Sequence, residues 1–325
     1  MSSKPAVISV IGSLNVDLVT RTARVPVAGE TLASESFNIG WGGKGANQAV
    51  ACARLSRTKA TASASRASDV EVRMVGAVGD DEFHQGFLES LRADGLNTSG
   101  VEILKGKKTG VAVIVVETQS GENRIMFNPG ANGEVVVRDL VDDDVGVALF
   151  QLELPMQVVL HNMKLAREKG VETVINPAPA VPLPAEAYAG LGHLIVNETE
   201  AAILSGIEKP TSWDEVAAVF IARGVENVII TLGGEVSHSN IRHPGTMDLL
   251  MCMDRAFTTR RQSNREHRNR VSLCPLARSR SLIRRPLVIP LREPTPLPSH
   301  AGRLWRKALT SISMLLFHRR TERHL

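Results

Sequence analysis

The amino-acid sequence predicts an α/β fold in which helices cover both faces of a mostly parallel sheet. Short apolar runs alternate with helix-like stretches up to Leu232. This alternation is typical of parallel sheets, because each parallel pair of strands needs a crossover connection. Hydrophobic residues make up 43% of the chain and aromatic residues only 4%, so we expect a sizeable core with mainly aliphatic packing.

The strands are predicted from short apolar runs between turn signals. Residues 7–11 form the first such run. Residues 109–116 and 123–127 flank the turn signal Ser-Gly-Glu-Asn, which predicts a strand pair. The other predicted strands span residues 147–152, 171–175, 193–196 and 228–232.

The helices are predicted from apolar residues at helical spacing and from capping signals. In the stretch 155–169, Val159, Met163 and Ala166 share one face. Ser212 and Glu215 have the spacing of a capping box for a helix that runs to Arg223. The other predicted helices span residues 45–55, 82–91 and 197–204.

Charge and glycine content divide the chain into two parts. Residues 1–236 carry a net charge of −9 and 24 of the 26 glycines, whereas residues 237–325 carry a net charge of +13. The second part holds 17 arginines and one lysine, is rich in proline and shows no strand–helix rhythm. We therefore predict an α/β domain over residues 1–236 and a disordered basic tail over residues 237–325.

Smaller features complete the predicted organisation. Residues 14–40 and 101–127 contain more strand than helix pattern, which predicts a separate small sheet or flap. Residues 56–69 are small and polar and predict a surface loop. Three cysteines without metal-type spacing, a polar N-terminus and the lack of any apolar run of about 18 residues predict a soluble, cytoplasmic protein.

A glycine-rich run precedes the first predicted helix. Gly40, Gly42 and Gly45 match the dinucleotide pattern G-x-G-x-x-G, but polar residues come before them instead of a buried strand. A Walker loop is excluded because Gly45 follows Lys44 where Ser or Thr is required. Two interpretations stay open: a tight turn that packs a helix on a sheet, or a helix start that binds an oxygen-rich ligand with Lys44 and Asn47 as added donors.

Polar residues also follow several predicted strands, at the edge where open α/β sheets bind ligands. Asn15 and Asp17 follow the first strand, and Asp17 can accept hydrogen bonds from two neighbouring sugar hydroxyls. Glu153 follows the strand at 147–152. Asn197 and Glu200 are spaced for ligand binding or for an ordinary capping box, so both interpretations stay open.

Several motifs in order resemble those of the ribokinase family of carbohydrate kinases. Residues 42–51 resemble the family's first signature, and residues 12–17 resemble its N-terminal sugar-binding stretch. Further matching motifs are Val-Gly-Ala-Val-Gly-Asp-Asp-Glu-Phe at 75–83, Lys-Thr-Gly-Val-Ala-Val-Ile at 108–114, Asn-Pro-Gly-Ala-Asn at 128–132, Asn-Pro-Ala-Pro-Ala at 176–180, Asn-Glu-Thr-Glu at 197–200 and Ile-Thr-Leu-Gly at 230–233. His84 departs from the pattern, which usually has glycine there.

The resemblance implies a three-layer αβα sandwich with a small β-sheet lid that often makes homodimer contacts. It implies transfer of the ATP γ-phosphate to the 5-hydroxyl of D-ribose, with Mg²⁺ and K⁺ as further cofactors; no K⁺ ligands are identified. The implied ATP-binding residues are Asn197, Thr231, Gly233 and Gly234, and Glu200 would hold Mg²⁺ through water. The implied sugar-binding residues are Asn15, Asp17, Gly43, Lys44, Gly45, Asn47 and Glu153.

One family signature is missing from the sequence. The C-terminal pattern Asp-Thr-x-Gly-Ala-Gly-Asp supplies the family's anion hole and base, and Gly79-Asp80 is the one Gly-Asp pair in this chain. We therefore predict no catalytic residue and negligible ribose phosphorylation by this polypeptide.

Three explanations of residues 237–325 stay open. A shifted reading frame or retained intron would give an arbitrary composition. A basic tail would bind nucleic acid or an acidic membrane, for which residues 303–320 are partly amphipathic. The third explanation is a remodelled catalytic half, but neither Asp248 nor Asp254 lies in a glycine-bearing turn. Two functions remain accordingly: a ribokinase-type enzyme, or an inactive remnant that binds sugar or a partner.

Overall fold

The computed structural model describes residues 6–56, 70–232 and 238–241. An 8-stranded sheet forms the centre of the protein, with the strand order β12-β11-β10-β9-β8-β1-β4-β5. Its strands are β1 (Ala6–Ile11), β4 (Val70–Gly79), β5 (Asn97–Leu104), β8 (Val145–Phe150), β9 (Glu172–Ile175), β10 (His193–Asn197), β11 (Asn227–Thr231) and β12 (His238–Ile241).

All neighbouring strands of this sheet are parallel except the pair β11–β12. In the centre, Ile8 of β1 lies beside Val72 of β4 and Val147 of β8. All three are buried, because helices cover both faces of a parallel sheet. The five strands predicted for this sheet, β1, β8, β9, β10 and β11, are confirmed, and each begins and ends within two residues of its predicted bounds. The sequence did not predict β4, which lies between β1 and β5.

Helices form the two outer layers. The helices of the described ranges are α1 (Lys44–Ser56), α2 (His84–Ala93), α3 (Met156–Glu168), α4 (Ala185–Tyr188), α5 (Glu198–Ser205) and α6 (Trp213–Ala222), with a 3-10 turn at Gly130–Glu134. Cys52 of α1 and Phe87 of α2 belong to one hydrophobic core, whereas Met163 of α3 and Phe220 of α6 belong to the other. The predicted three-layer αβα sandwich is therefore confirmed.

Capping interactions define where two of these helices begin. Asn197 and Glu200 form a reciprocal capping box at the start of α5. Ser212 caps α6 by accepting a hydrogen bond from the Glu215 backbone at 3.2 Å. The Glu215 carboxylate binds Thr211 instead of the Ser212 backbone, so only half of the predicted box forms in α6.

A second sheet lies beside the large one and has the strand order β3-β2-β6-β7. Its strands are β2 (Asn15–Thr22), β3 (Ser36–Gly42), β6 (Gly110–Glu117) and β7 (Asn123–Asn128). The predicted small sheet is thus present, with one correction. Residues 101–104 belong to β5 at the edge of the large sheet, because that strand pairs with β4 and not with β6.

The C-terminal part of the chain is described only briefly. β12 lies two residues beyond the predicted limit of the domain and pairs antiparallel with β11, so residues 238–241, which the sequence assigned to the tail, extend the sheet. The other predictions for the tail and for the loop at 57–69 lie outside the described residues. No described helix has the length and apolar character that crossing a membrane requires.

The glycine-rich turn between β3 and α1 packs closely on the loop that follows β1. Gly43 has a φ of 90°, which side chains other than glycine rarely adopt. A Cβ on Gly45 would lie 2.5 Å from the Ser13 nitrogen and 2.6 Å from the Gly12 carbonyl carbon. These contacts are with backbone, so they cannot be relieved by a side-chain rotation.

We predict that Gly45→Ala lowers the free energy of unfolding by about 1–3 kcal/mol, because the new methyl group must displace the loop after β1. Gly40→Ala is the matched control from the same glycine run, since its Cβ would meet nothing closer than Asp17 Cβ at 3.8 Å. Chemical denaturation of both variants measures the difference. Equal stability of the two variants would contradict this account of the packing.

Candidate functional site

The predicted site residues lie where the large sheet meets the small sheet. β1 ends at Ile11, and the loop 12–14 leads directly into β2 of the small sheet. The carboxyl ends of β8, β9, β10 and β11 lie along the same edge of the large sheet, because these strands are parallel to β1. Ligands of open α/β sheets bind at this edge.

Glu153 joins three separate segments at this edge. Its Oε2 accepts a hydrogen bond from Ser13 Oγ at 2.5 Å, from Asn15 Nδ2 at 3.3 Å and from the Lys44 backbone nitrogen at 3.0 Å. The Lys44 nitrogen is the first of α1, where helix geometry leaves N–H groups without partners inside the helix. The carboxylate therefore fixes the loop after β1, the start of β2 and the start of α1 relative to one another.

Ser13 strengthens the same junction, although the sequence analysis did not single it out. Its Oγ accepts from the Gly45 nitrogen at 3.2 Å, and its carbonyl oxygen accepts from the Ala46 nitrogen at 2.9 Å. Two further N–H groups at the start of α1 thus bind the loop after β1. The available signals were its place in the motif at 12–17 and its position shortly after a buried strand.

Asp17 lies beside the hydrogen-bonded cluster. Asn15 and Asp17 are two residues apart on β2, so their side chains point to the same face of the small sheet. Across from them on β3, a Cβ on Gly42 would lie 2.2 Å from Asp17 Oδ2. Only a glycine at position 42 leaves room for the carboxylate in this place.

Lys44 and Asn47 are three residues apart in the first turns of α1, which places them on the same side of the helix. Both are half-buried, and Gly45 between them is buried against the loop after β1. The structure thus brings Asn15, Gly43, Lys44, Gly45 and Glu153 into direct contact, with Asp17 and Asn47 on the adjoining faces of β2 and α1.

Glu200 lies further along the edge, at the end of β10. Its Oε2 accepts from the Asn197 backbone nitrogen at 2.9 Å, and its own nitrogen donates to Asn197 Oδ1 at 2.8 Å. Burial raises the pKa of its carboxyl group, against the opposing effects of the Asn197 N–H, the Lys44 ammonium and the Asn176 amide. The ammonium group of Lys44, whose backbone nitrogen binds Glu153, therefore also acts on Glu200.

Buried amides connect the two ends. Gln151 Nε2 donates to Gln48 Oε1 at 2.7 Å, and Gln48 Nε2 lies 3.5 Å from Asn176 Oδ1. Asn176 in turn donates to the Ile195 carbonyl oxygen at 3.0 Å. Gln48 and Asn176 were noted only as parts of the motifs at 42–51 and 176–180. Gln151 was not singled out, because it lies within an otherwise apolar predicted strand.

The predicted nucleotide loop is described only at its entry. Thr231 lies beside Asn197 in the register of β11 and β10, and its Oγ1 donates to the Val196 carbonyl oxygen at 3.4 Å. Gly233 and Gly234 lie outside the described residues. Among the residues that the structure describes, no group of three or more His, Cys, Asp and Glu side chains is arranged to hold a metal ion.

Comparison with known proteins places these features in a family. Residues 6–237 match the model of the pfkB family of carbohydrate kinases. The ribokinase of Schizosaccharomyces pombe is 41% identical over 240 residues, which cover 70% of this chain and 72% of that protein. The ribokinase of Mus musculus is 36% identical over 236 residues, covering 70% of this chain and 69% of that protein.

Solved structures show the same fold. The structure of Arabidopsis thaliana ribokinase complexed with ribose and ATP superposes with a TM-score of 0.63 at 26% identity, covering 74% of this chain and 76% of that one. Ribokinase from Thermotoga maritima gives a TM-score of 0.62 at 30% identity, covering 73% and 75% of the two chains. With a family match over most of its length, this chain belongs to the pfkB family of carbohydrate kinases.

Proposed function

We propose that this chain is a ribokinase-type protein, whose site takes D-ribose as acceptor and ATP as donor of a phosphoryl group. The reaction of such a site is phosphorylation of the ribose 5-hydroxyl. The observation that carries the proposal is the convergence of Ser13, Asn15 and the Lys44 nitrogen on Glu153 Oε2. The ribokinase relatives, one of them in a structure titled as a complex with ribose and ATP, support this choice of substrates.

The sugar end of the site offers acceptors and donors suited to a pentose. Asp17 supplies two carboxylate oxygens for neighbouring hydroxyls, and Asn15, Lys44 and Asn47 supply amide and ammonium donors. The backbone at Gly43 and Gly45 comes close because neither residue carries a Cβ. These groups bind and orient the sugar, and the fixed start of α1 holds the donors in place before the sugar arrives.

The phosphate end lies at Asn197, Glu200 and Thr231. The buried Glu200 carboxylate fits Mg²⁺ that is held through water and by the ATP phosphates, as Mg²⁺ commonly is. When bound, Mg²⁺ neutralises negative charge on the phosphates. Glu200 would orient the water. The Asn197 N–H holds the Glu200 carboxylate in place, and Asn197 Oδ1 binds the Glu200 nitrogen in the first turn of α5.

The small sheet is also proposed to contact a second copy of this chain, as the resemblance implies. Its two edge strands, β3 and β7, expose large apolar side chains. Phe37 is 56% exposed, Ile125 51% and Met126 65%. Apolar groups gathered on one small sheet favour contact with another apolar surface.

We expect Asp17→Ala to weaken ribose binding by about 2 kcal/mol or more, because several hydroxyl contacts are lost at once. Isothermal titration with ribose measures the loss. Asp139→Ala is the control, since this exposed carboxylate pairs with His161 and precedes β8 instead of following it. Ribose binding that survives Asp17→Ala unchanged would contradict the proposed sugar site.

We expect the 325-residue polypeptide to phosphorylate ribose at a negligible rate, because the Gly-Ala-Gly-Asp run of the family is absent from its sequence. Loss of a general base costs roughly 10²–10⁴ in rate. A typical kinase turnover of about 1–100 s⁻¹ would fall accordingly. The measurement is ribose-dependent ADP release with ATP, Mg²⁺ and K⁺.

The ribokinase of Schizosaccharomyces pombe serves as the positive control in the same assay. Turnover near ordinary kinase rates that disappears in Lys44→Ala would show that this chain holds another base. Ribose binding without turnover is the expected result.

We expect Glu200→Gln to raise the stability of the protein at neutral pH in buffer without divalent cations. Burial raises the pKa of Glu200, so the folded state pays a penalty for its charge above that pKa. The penalty is absent below the unfolded value of 4.5, where the carboxyl group is protonated in both states. Thermal unfolding across this pH range should show a gain that disappears in acid, and a loss of stability at neutral pH would contradict the burial argument.

A further inference from the structure

Asn132 lies behind the sugar end of the site and is fully buried in the 3-10 turn Gly130–Glu134. Its Oδ1 accepts from the Leu14 backbone nitrogen at 2.9 Å, and its Nδ2 lies 2.9 Å from the Leu14 carbonyl oxygen. Its Nδ2 also donates to Asn15 Oδ1 at 2.8 Å and lies 3.1 Å from the Pro129 carbonyl oxygen. The two N–H groups of Nδ2 are thus shared among three acceptors, while Oδ1 accepts one hydrogen bond.

The backbone of Leu14 determines how the Asn132 amide is oriented. A backbone N–H can only donate and a backbone carbonyl can only accept, so Asn132 must present Oδ1 to the first and Nδ2 to the second. The same orientation directs an N–H of Asn132 at Asn15. Asn15 must therefore direct its Oδ1 towards Asn132, because its NH₂ group in that position would face another donor.

The orientation of Asn15 follows on its other side. With Oδ1 bound to Asn132, Nδ2 of Asn15 faces Glu153 Oε2 at 3.3 Å. A reversed Asn15 amide would bring its oxygen against the Glu153 carboxylate, where two acceptors repel each other. The order of donors and acceptors therefore runs from the Leu14 backbone through Asn132 and Asn15 to Glu153.

Asn132 also limits what can stand beside it. A Cβ on Gly110, the first residue of β6, would lie 2.4 Å from Asn132 Nδ2 and 2.2 Å from Asn15 Oδ1. The first residues of β2 and β6 therefore lie close to the same pair of side-chain amides, those of Asn15 and Asn132. No described residue other than Asn132 is recorded as a donor to Asn15 Oδ1.

We propose that Asn132 is a positioning residue for the sugar site: it fixes the Asn15 amide with its NH₂ group towards Glu153 and the sugar. This inference rests on the proposed ribose site but concerns a residue outside it. Asn132 binds no ligand itself. It acts by making one orientation of Asn15 the only one without a clash of like groups.

Asn132→Asp tests the proposal with almost no change of shape. The new carboxylate still accepts from the Leu14 nitrogen, but it replaces the donor to Asn15 by an acceptor. Asn15 then turns its NH₂ group towards position 132, and its oxygen meets Glu153. We expect ribose affinity to fall about tenfold or more, the usual cost of a lost hydrogen bond to a charged group.

Asn162→Asp is the matched control. Asn162 is also fully buried, accepts from the Leu140 nitrogen at 2.7 Å and donates to the carbonyl oxygens of Arg138 and Val158 at 3.0 and 2.9 Å. Asn162 lies in α3 and binds the loop that precedes β8. Its hydrogen bonds within the described part of the chain do not involve the site residues. Both variants bury a carboxylate, so both should lose thermal stability, whereas only Asn132→Asp should lose ribose affinity.

A second readout does not need ribose. With selective ¹⁵N labelling of asparagine, the Asn15 side-chain NH₂ should show nuclear Overhauser contacts to the Lys44 N–H, since both donate to Glu153 Oε2. These contacts should disappear in Asn132→Asp and persist in Asn162→Asp. If either aspartate variant fails to fold, the pair Asn132→Ala and Asn162→Ala gives the same comparison.

The outcomes separate the two proposals. If the unmodified chain does not bind ribose but the Asn15 contacts change as described, the ribose site is wrong, whereas the role of Asn132 in orienting the Asn15 amide stands. If ribose binds equally well to the unmodified chain and to Asn132→Asp, or if the Asn15 contacts persist in that variant, the role of Asn132 is overturned.

Discussion

One carboxylate oxygen, Glu153 Oε2, holds the site together, and the surrounding structure depends on its hydrogen bonds. It accepts from three segments: the loop after β1, the start of β2 and the start of α1. β2 begins the small sheet and α1 packs on the large sheet, so this one interaction fixes how the two sheets meet. A negative charge at the N-terminus of a helix is stabilised there by the helix dipole, which makes the position favourable for Glu153. The contact is possible only because Gly43 and Gly45 let α1 approach the loop closely.

Most of the fold could be predicted from the sequence, because buried strands and amphipathic helices leave strong local patterns. The runs 194–196 and 228–230 are apolar over their whole length, and they are the buried centres of strands covered on both faces. β5 was assigned to the wrong sheet because its pattern is that of any half-exposed strand. β5 belongs to the large sheet because it pairs with β4, and the sequence of residues 97–104 does not indicate which strand is its partner. β12 was missed because four residues of mixed polarity give no strand pattern.

Motifs and strand ends located the site, but not the contacts within it. Asn15 and Lys44 lie in recognisable motifs and Glu153 follows a predicted strand, and the structure brings them into contact. Ser13 and Asn132 also lie in matching motifs, at 12–17 and 128–132, but their hydrogen-bond partners are 140 and 117 residues away in sequence. A buried side-chain hydrogen bond between distant residues leaves no periodicity and no local preference, so only the folded structure shows it. The capping box of Asn197 and Glu200 is a local interaction, and its sequence pattern was recognised. This box is compatible with the proposed role of Glu200 at the phosphate end.

Sugar binding and phosphoryl transfer place different demands on this architecture, and the two demands fall on different parts of the chain. All of the proposed sugar contacts come from residues before 154, on β2, at the start of α1 and in the loop after β8. Transfer requires in addition a base beside the acceptor hydroxyl and donors for the charge that develops on the moving phosphoryl group. Lys44 is one of the proposed sugar-binding residues, and its positive charge also acts on the buried Glu200 carboxylate at the phosphate end. A positive charge can attract phosphate oxygens, but an ammonium group that remains protonated cannot accept the hydroxyl proton. The cluster around Glu153 is therefore proposed to recognise the sugar, whereas the family's base belongs to a signature that this sequence lacks.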